Sequence, residues 1–231
     1  MVYISSKLHL TPEDITFIAE QLGSTQNEQI AITHLLVPDE LTETSLDDIL
    51  KDKRLWMGIV KSEKIEHVSS SLFFYLAIQH YLDEVGITDI DIVDYVSGVL
   101  HGFVEHKKMT KVGTYHFEHV VDLRYAAKAA TEEHLKFSLS RHLGNYTLYV
   151  SGMFPEHLER SRSILGVKDF EDMGREGFAR AVESDYAGST GQHPVLSWLV
   201  DHFHVVRGKL NHFSMELQSA QKKYKPHYLP E

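Results

Sequence analysis

The placement of proline constrains this chain most. All six prolines, at positions 12, 38, 155, 194, 226 and 230, fall outside the periodic apolar segments, and none occurs between positions 39 and 154. Proline has no amide hydrogen and clashes with the preceding turn of a helix, yet it suits a helix's first turn. Long proline-free stretches opened by a proline therefore predict helices. Thr11-Pro12-Glu13-Asp14 supplies a hydroxyl cap, a proline at the first helical position and acids in the first turn. Ile15, Ile18 and Leu22 follow at helical spacing, and Gly23 predicts the stop.

The same reasoning predicts a short helix capped at Ser45-Leu46-Asp47-Asp48 and a strongly apolar helix over 63–85. Phe73, Phe74, Leu76, Ile78 and Tyr81 cover most of the latter's circumference, the pattern of a central, buried helix. Gly86 ends it, and Asp89 or Asp91 opens the next helix, whose Gly98 and Gly102 predict close backbone approach. The spacing predicts the longest middle helix over 115–143, closed at Gly144-Asn145. Pro155 starts a helix to Leu165, Asp169 starts one interrupted by Gly174 and Gly177, 186–192 reads as a loop, and Pro194 opens the last long helix. Segments 30–37 and 146–150 carry strand-like residues without partner hairpins, so they are read as helical or irregular. The expected fold is all-α. It is a single globular bundle of about eight helices over 1–225, with 1–60 as a loosely attached cap and 226–231 as a tail. Phe73, Phe74, Leu76, Ile78, Leu123, Phe137, Leu199, Phe203 and Leu210 are the expected core.

Composition narrows the function classes. The formal net charge is −10 over 231 residues, which disfavours phosphate backbones and makes nucleic acid an unfavoured partner. The basic clusters Lys107-Lys108-Met109-Thr110-Lys111 and Arg160-Ser161-Arg162 are short and read as solvated ends and loops. Zero cysteine removes disulfides and thiolate metal sites and fits a reducing cytosol. The first residues lack a secretory signal pattern. The longest apolar run, Leu72 to Ile78, is far short of the ~20 residues that cross a bilayer. A soluble cytoplasmic protein with no membrane partner is expected.

Histidine is the unusual residue, with 16 in the chain. On a continuous 115–143 helix, His116, His119, Leu123, Ala127, Ala130, His134 and Phe137 share one stripe about 80° wide. Buried imidazoles need partners, so the stripe predicts a metal site. His116 and His119 would be its centre, with His134 and His101 as further ligands and a divalent ion such as iron or zinc as cofactor. The alternative is that these rings bond to neighbouring polar groups or stand in solvent. Paired Glu-x-x-His motifs of a di-iron bundle are missing, and Asp201-x-x-His204 stands alone.

The last helix carries a second cluster, His204, Arg207 and Asn211, three and four residues apart. Arg207-Gly208-Lys209-Leu210-Asn211-His212 resembles the Arg-x4-His motif of HEPN-type helical ribonucleases. That resemblance implies RNA cleavage with Arg207 and His212 as catalytic residues, although Gly208 departs from the polar residue usual at its position. The segments His142-Leu143-Gly144-Asn145-Tyr146 and Gly152-Met153-Phe154-Pro155-Glu156-His157 resemble a stretch of an uncharacterised all-helical bacterial family, which implies no function. As a turn, this stretch would bring His142 and His157 together. Phosphate-binding glycine loops, the metalloprotease His-Glu-x-x-His and the Gly-x-Ser-x-Gly elbow are absent from the sequence. The lead expectation is a soluble helical interaction or small-ligand-binding protein. It would form a homo-oligomer, with a protein or small molecule as its unidentified partner. A metal-dependent helical-bundle enzyme using His116 and His119, and the ribonuclease, are the alternatives.

Overall fold

The computed structural model describes residues 10–36, 43–61, 68–106, 111–160 and 165–221. Among these the chain forms twelve helices and one antiparallel pair of two-residue strands, so the fold is all-α with more and shorter helices than expected. The Lys107–Lys111 cluster up to its last residue, the Arg160–Arg162 cluster beyond Arg160, the start of the 63–85 helix and the 226–231 tail lie outside the described residues. Contacts cluster into two units, one within Ile4–Val104 and one within Glu105–Gln218. No helix among the described residues is long and apolar enough to cross a membrane.

The first unit contains α1 (Pro12–Leu22), α2 (Gln26–Leu35), α3 (Glu43–Leu50), α4 (Lys53–Lys61), α5 (Ser70–Asp83) and most of α6 (Ile90–His106). The proline signature at α1 reads through to atomic detail: Thr11 Oγ1 accepts from the Asp14 amide, and Asp14 Oδ2 accepts from the Thr11 amide. The other Asp14 oxygen accepts from the Ser69 amide at 2.8 Å. One fully buried carboxylate thus fixes the start of α1 and the cap of α5. Helix α5 is buried continuously from Ser70 to Ile78, as a central helix must be, and stops before Gly86, whose φ of 75° suits glycine. A side chain at Gly102 would meet nothing within 4 Å, so the close approach expected there does not occur. Segment 30–37 is helical through Leu35, and Val37 lies outside the described residues.

The second unit contains β1 (Lys111–Val112), β2 (Tyr115–His116), α7 (Val120–Ala129), α8 (Glu133–Met153), α9 (Pro155–Arg160), α10 (Val167–Val182), α11 (Asp185–Ser189) and α12 (His193–Gln221). The continuous 115–143 helix does not exist. A turn at Gly113, with φ of 58°, pairs Val112 with Tyr115, and α7 ends at Ala129, capped by Ala130, before α8 begins. Conversely, Gly144-Asn145 does not stop α8, which continues through 146–150 to Met153.

The reason lies in packing. Glycine in these helices provides contact surface: a Cβ on Gly177 would sit 2.7 Å from the Gly144 amide nitrogen and 2.8 Å from the Ser140 carbonyl oxygen. Gly144 receives the Phe178 ring, and Gly174 receives Phe203. Helices α8 and α10 therefore cross with backbones nearly touching. Phe178 and Phe203 fill the flanks with ring centroids 6.0 Å apart, and both are fully buried. Dense tertiary contact outweighs the helix-breaking tendency of glycine, worth about 1 kcal/mol per residue. All nine expected core residues are buried.

Candidate functional site

The histidine stripe disperses once the helix carrying it is broken. His116 lies exposed on β2, His119 is the exposed cap residue of α7, and His134 is exposed on α8 with its ring edge-on to Tyr186 at 5.0 Å. His101, half-buried on α6, shares a hydrogen bond between its Nδ1 and Ser70 Oγ at 3.1 Å. Among the described residues no three histidine, aspartate or glutamate side chains come together in a way that could hold a metal ion. His142 packs on Phe117 in mid-helix, and α8 continues for about three turns beyond it before His157 is reached. The turn expected to join these two histidines is absent.

The α12 cluster divides by face. Residues five apart on a helix differ by about 140° around its axis. His212 is exposed beside Glu216 at 3.3 Å, and His204 is exposed one turn before Arg207. Arg207 turns inward: its Nε lies 3.3 Å from Glu171 Oε2 on α10, buried but without hydrogen-bond alignment. Arg207 and Asn211 line an open groove of about 730 Å³ with His157, Glu156, Ser214 and Met215. His204 and His212 are not in that lining, so the Arg-x4-His pair does not converge on it.

A second concavity lies in the first unit, where α3, α4, α5 and the start of α6 meet. It encloses about 230 Å³. Leu50, Trp56, Leu76, Ile87, Ile90 and Val93 supply its apolar walls. Its polar lining is Lys51, Asp52, Lys53, Gln79, His80, Asp83 and Thr88. Helix α4 presents Trp56 beside its buried flank, where Leu55 and Ile59, four apart, are 0% and 2% exposed. Helix α5 presents Leu76, Gln79, His80 and Asp83 at three- and four-residue spacing, one face of its C-terminal half.

The charges of this cleft are matched locally. Asp52 accepts three hydrogen bonds from the Arg54 guanidinium and one from the Arg54 amide, between 2.7 and 3.1 Å. Those bonds hold its carboxyl below the usual aspartate value against the opposing effect of partial burial. Lys53 Nζ lies 2.9 Å from Asp83 Oδ2 and joins α4 to α5 at the rim. His80 Nε2 is 3.7 Å from Glu84, and Lys51 is 3.8 Å from Asp48. The His80 imidazole stacks on the Trp56 indole, with centroids 5.4 Å apart and planes 24° apart. Tyr81 meets Trp56 edge-on at 6.0 Å, and Phe73 is tilted at 6.3 Å. Sequence reasoning missed this site because Trp56 and His80 come from separate helices. The available signal was Trp56 itself, a large ring beside the polar run Lys51-Asp52-Lys53-Arg54.

Deeper in the same unit, the Tyr75 hydroxyl is buried and has no hydrogen-bond partner among the described residues. Burial, reinforced by the charges of Asp47 and Asp94, pushes its ionisation above the ordinary tyrosine range, so the phenol stays neutral. Compared with protein-family models, with characterised proteins and with solved structures, the chain matches none.

Proposed function

We propose that this chain is a small-ligand-binding helical protein whose ligand occupies the cleft between α4 and α5. The observation that carries this reading is the cleft's construction: apolar walls ending in an indole face, ringed by polar groups already paired with one another. Ligand sites are typically concave and mostly apolar, with a few fixed polar groups. At about 230 Å³ the cleft suits a ligand of one or two rings. Binding would come from removing apolar surface from water, worth about 25 cal/mol per Å² before the costs of association.

Saturation-transfer NMR with a mixture of small uncharged fragments tests the reading. Fragment signals are expected with the native chain and should be lost in Trp56→Ala, whose folding is verified by far-ultraviolet circular dichroism. Equal signals from the two proteins, or none from the native chain, would contradict it.

A further inference from the structure

We propose that the ligand is an uncharged planar aromatic ring that stacks on Trp56 in the place now held by the His80 imidazole. This rests on the small-ligand reading of the cleft and narrows it to a chemical class.

Three observations converge. The first is that the cleft already contains the contact the ligand would make. A flat ring lies on the indole with planes 24° apart, and Tyr81 and Phe73 pack against the same indole at 6.0 and 6.3 Å. Offset-stacked aromatic pairs gain energy beyond the area they bury, so a planar occupant of that face is preferred to a puckered one.

The second is that His80 is a replaceable occupant. It is half-buried at the end of the buried run of α5, and its Nε2 approaches Glu84 at 3.7 Å, too long for a hydrogen bond. Swinging aside costs His80 its stack on Trp56 and its edge contact with Tyr81 at 5.2 Å, but no hydrogen bond, and an incoming ring restores the stack. The closed arrangement therefore competes with ligand, and the apparent affinity falls with the fraction of molecules in which the indole face is free.

The third is charge. Lys53 is held by Asp83 and Asp52 by Arg54, while Lys51 stands near Asp48. The two lysines and two aspartates of the lining balance, so a charged ligand must shed its own water without a net opposite charge to receive it, although Lys51 is only loosely held. A neutral ring leaves every pair in place.

The experiment uses the full-length chain carrying Trp198→Phe, so that Trp56 supplies the single indole N–H resonance. Phenol and cyclohexanol form a matched pair, planar and puckered, each a six-membered ring with one hydroxyl. Benzoate and benzylammonium are the charged counterparts. Phenol should shift the Trp56 resonance with an affinity roughly two- to tenfold tighter than cyclohexanol. Both charged rings should bind more weakly than phenol, and His80→Ala should tighten phenol binding. Cyclohexanol binding as tightly as phenol would overturn the stacking inference while leaving the cleft a ligand site. Tighter binding of either charged ring would overturn neutrality. Weaker phenol binding in His80→Ala would show that His80 holds the ligand and is not displaced by it. Failure of every probe to move the Trp56 resonance would overturn the inference together with the reading beneath it.

Discussion

The α8–α10 crossing and the α4–α5 cleft are both places where two helices meet, and they are built oppositely. At the crossing, Gly144, Gly174 and Gly177 remove side chains so that backbone meets backbone, and Phe178 and Phe203 fill what is left. At the cleft, Trp56 and His80 stand between the helices, stacked on one another, and about 230 Å³ remains beside them. Small residues let helices close, whereas large flat ones hold them apart and leave a surface that another ring can use. The first region carries stability, and the second is the one proposed for recognition.

The largest expected effect lies at the crossing. Phe203→Ala should cost roughly 3–5 kcal/mol, because the ring is fully buried against Gly174 and Phe178 and the packed backbones cannot collapse to fill the void. Denaturant melts measure this, and a loss below half a kcal/mol would show the crossing is not packed as described.

Gly177→Ala is the sharper test of backbone contact. The added methyl meets main-chain atoms that cannot rotate away, so a loss of roughly 2–3 kcal/mol is expected even after the gain in helix propensity. A stabilising effect would mean that α8 and α10 stand further apart. In the first unit, Asp14→Ala removes the acceptor for both the Thr11 and Ser69 amides and should cost about 2 kcal/mol. Trp56→Phe at the cleft should cost less than any of these, because its ring is only half-buried.

The smallest effect is a pH dependence on the adjoining face of α10. Glu176 lies 2.6 Å from Arg124 and 2.9 Å from Lys128 on α7, and 3.6 Å from Arg180. Partial burial opposes its ionisation, but the bonds from Lys128 and Arg124 outweigh that and hold the carboxyl below its ordinary 4.5. A lowered carboxyl pKa means the unfolded chain binds more protons in the interval between the two values. The contribution is therefore complete above pH 4.5 and is lost as pH falls through and below it. Glu176→Gln should flatten the stability profile in that acid range and leave its shape near neutrality unchanged.

How much the sequence revealed follows the same division. Local signals carried over well: the Thr11-Pro12 start, the Gly23 stop and the uniformly apolar α5 are set by the chain's own backbone and appear where expected. Signals that depend on a distant partner misled. Gly144 and Gly174 read as breaks because their packing partners, Phe178 and Phe203, lie 29 or more residues away in the chain. The histidine stripe assumed one helix where Gly113 makes a hairpin and Ala130 ends a turn, so His116, His119 and His134 are exposed separately. Arg207 leaves the exposed histidines of its own helix for a carboxylate on another, Glu171 of α10. The cleft was illegible because Trp56, its one sequence signal, gains a site only when α4 lies against α5 and His80 meets it.

One measurement tests the contrast directly: a map of backbone amide shifts in the full-length chain as phenol is added. The account predicts perturbations grouped around Trp56, Leu76, His80, Ile87 and Val93, with Gly144, Gly174, Gly177 and Phe203 unmoved. Shifts centred on the α8–α10 crossing, or on the groove of Arg207 and Asn211, with the Trp56 region silent, would contradict it.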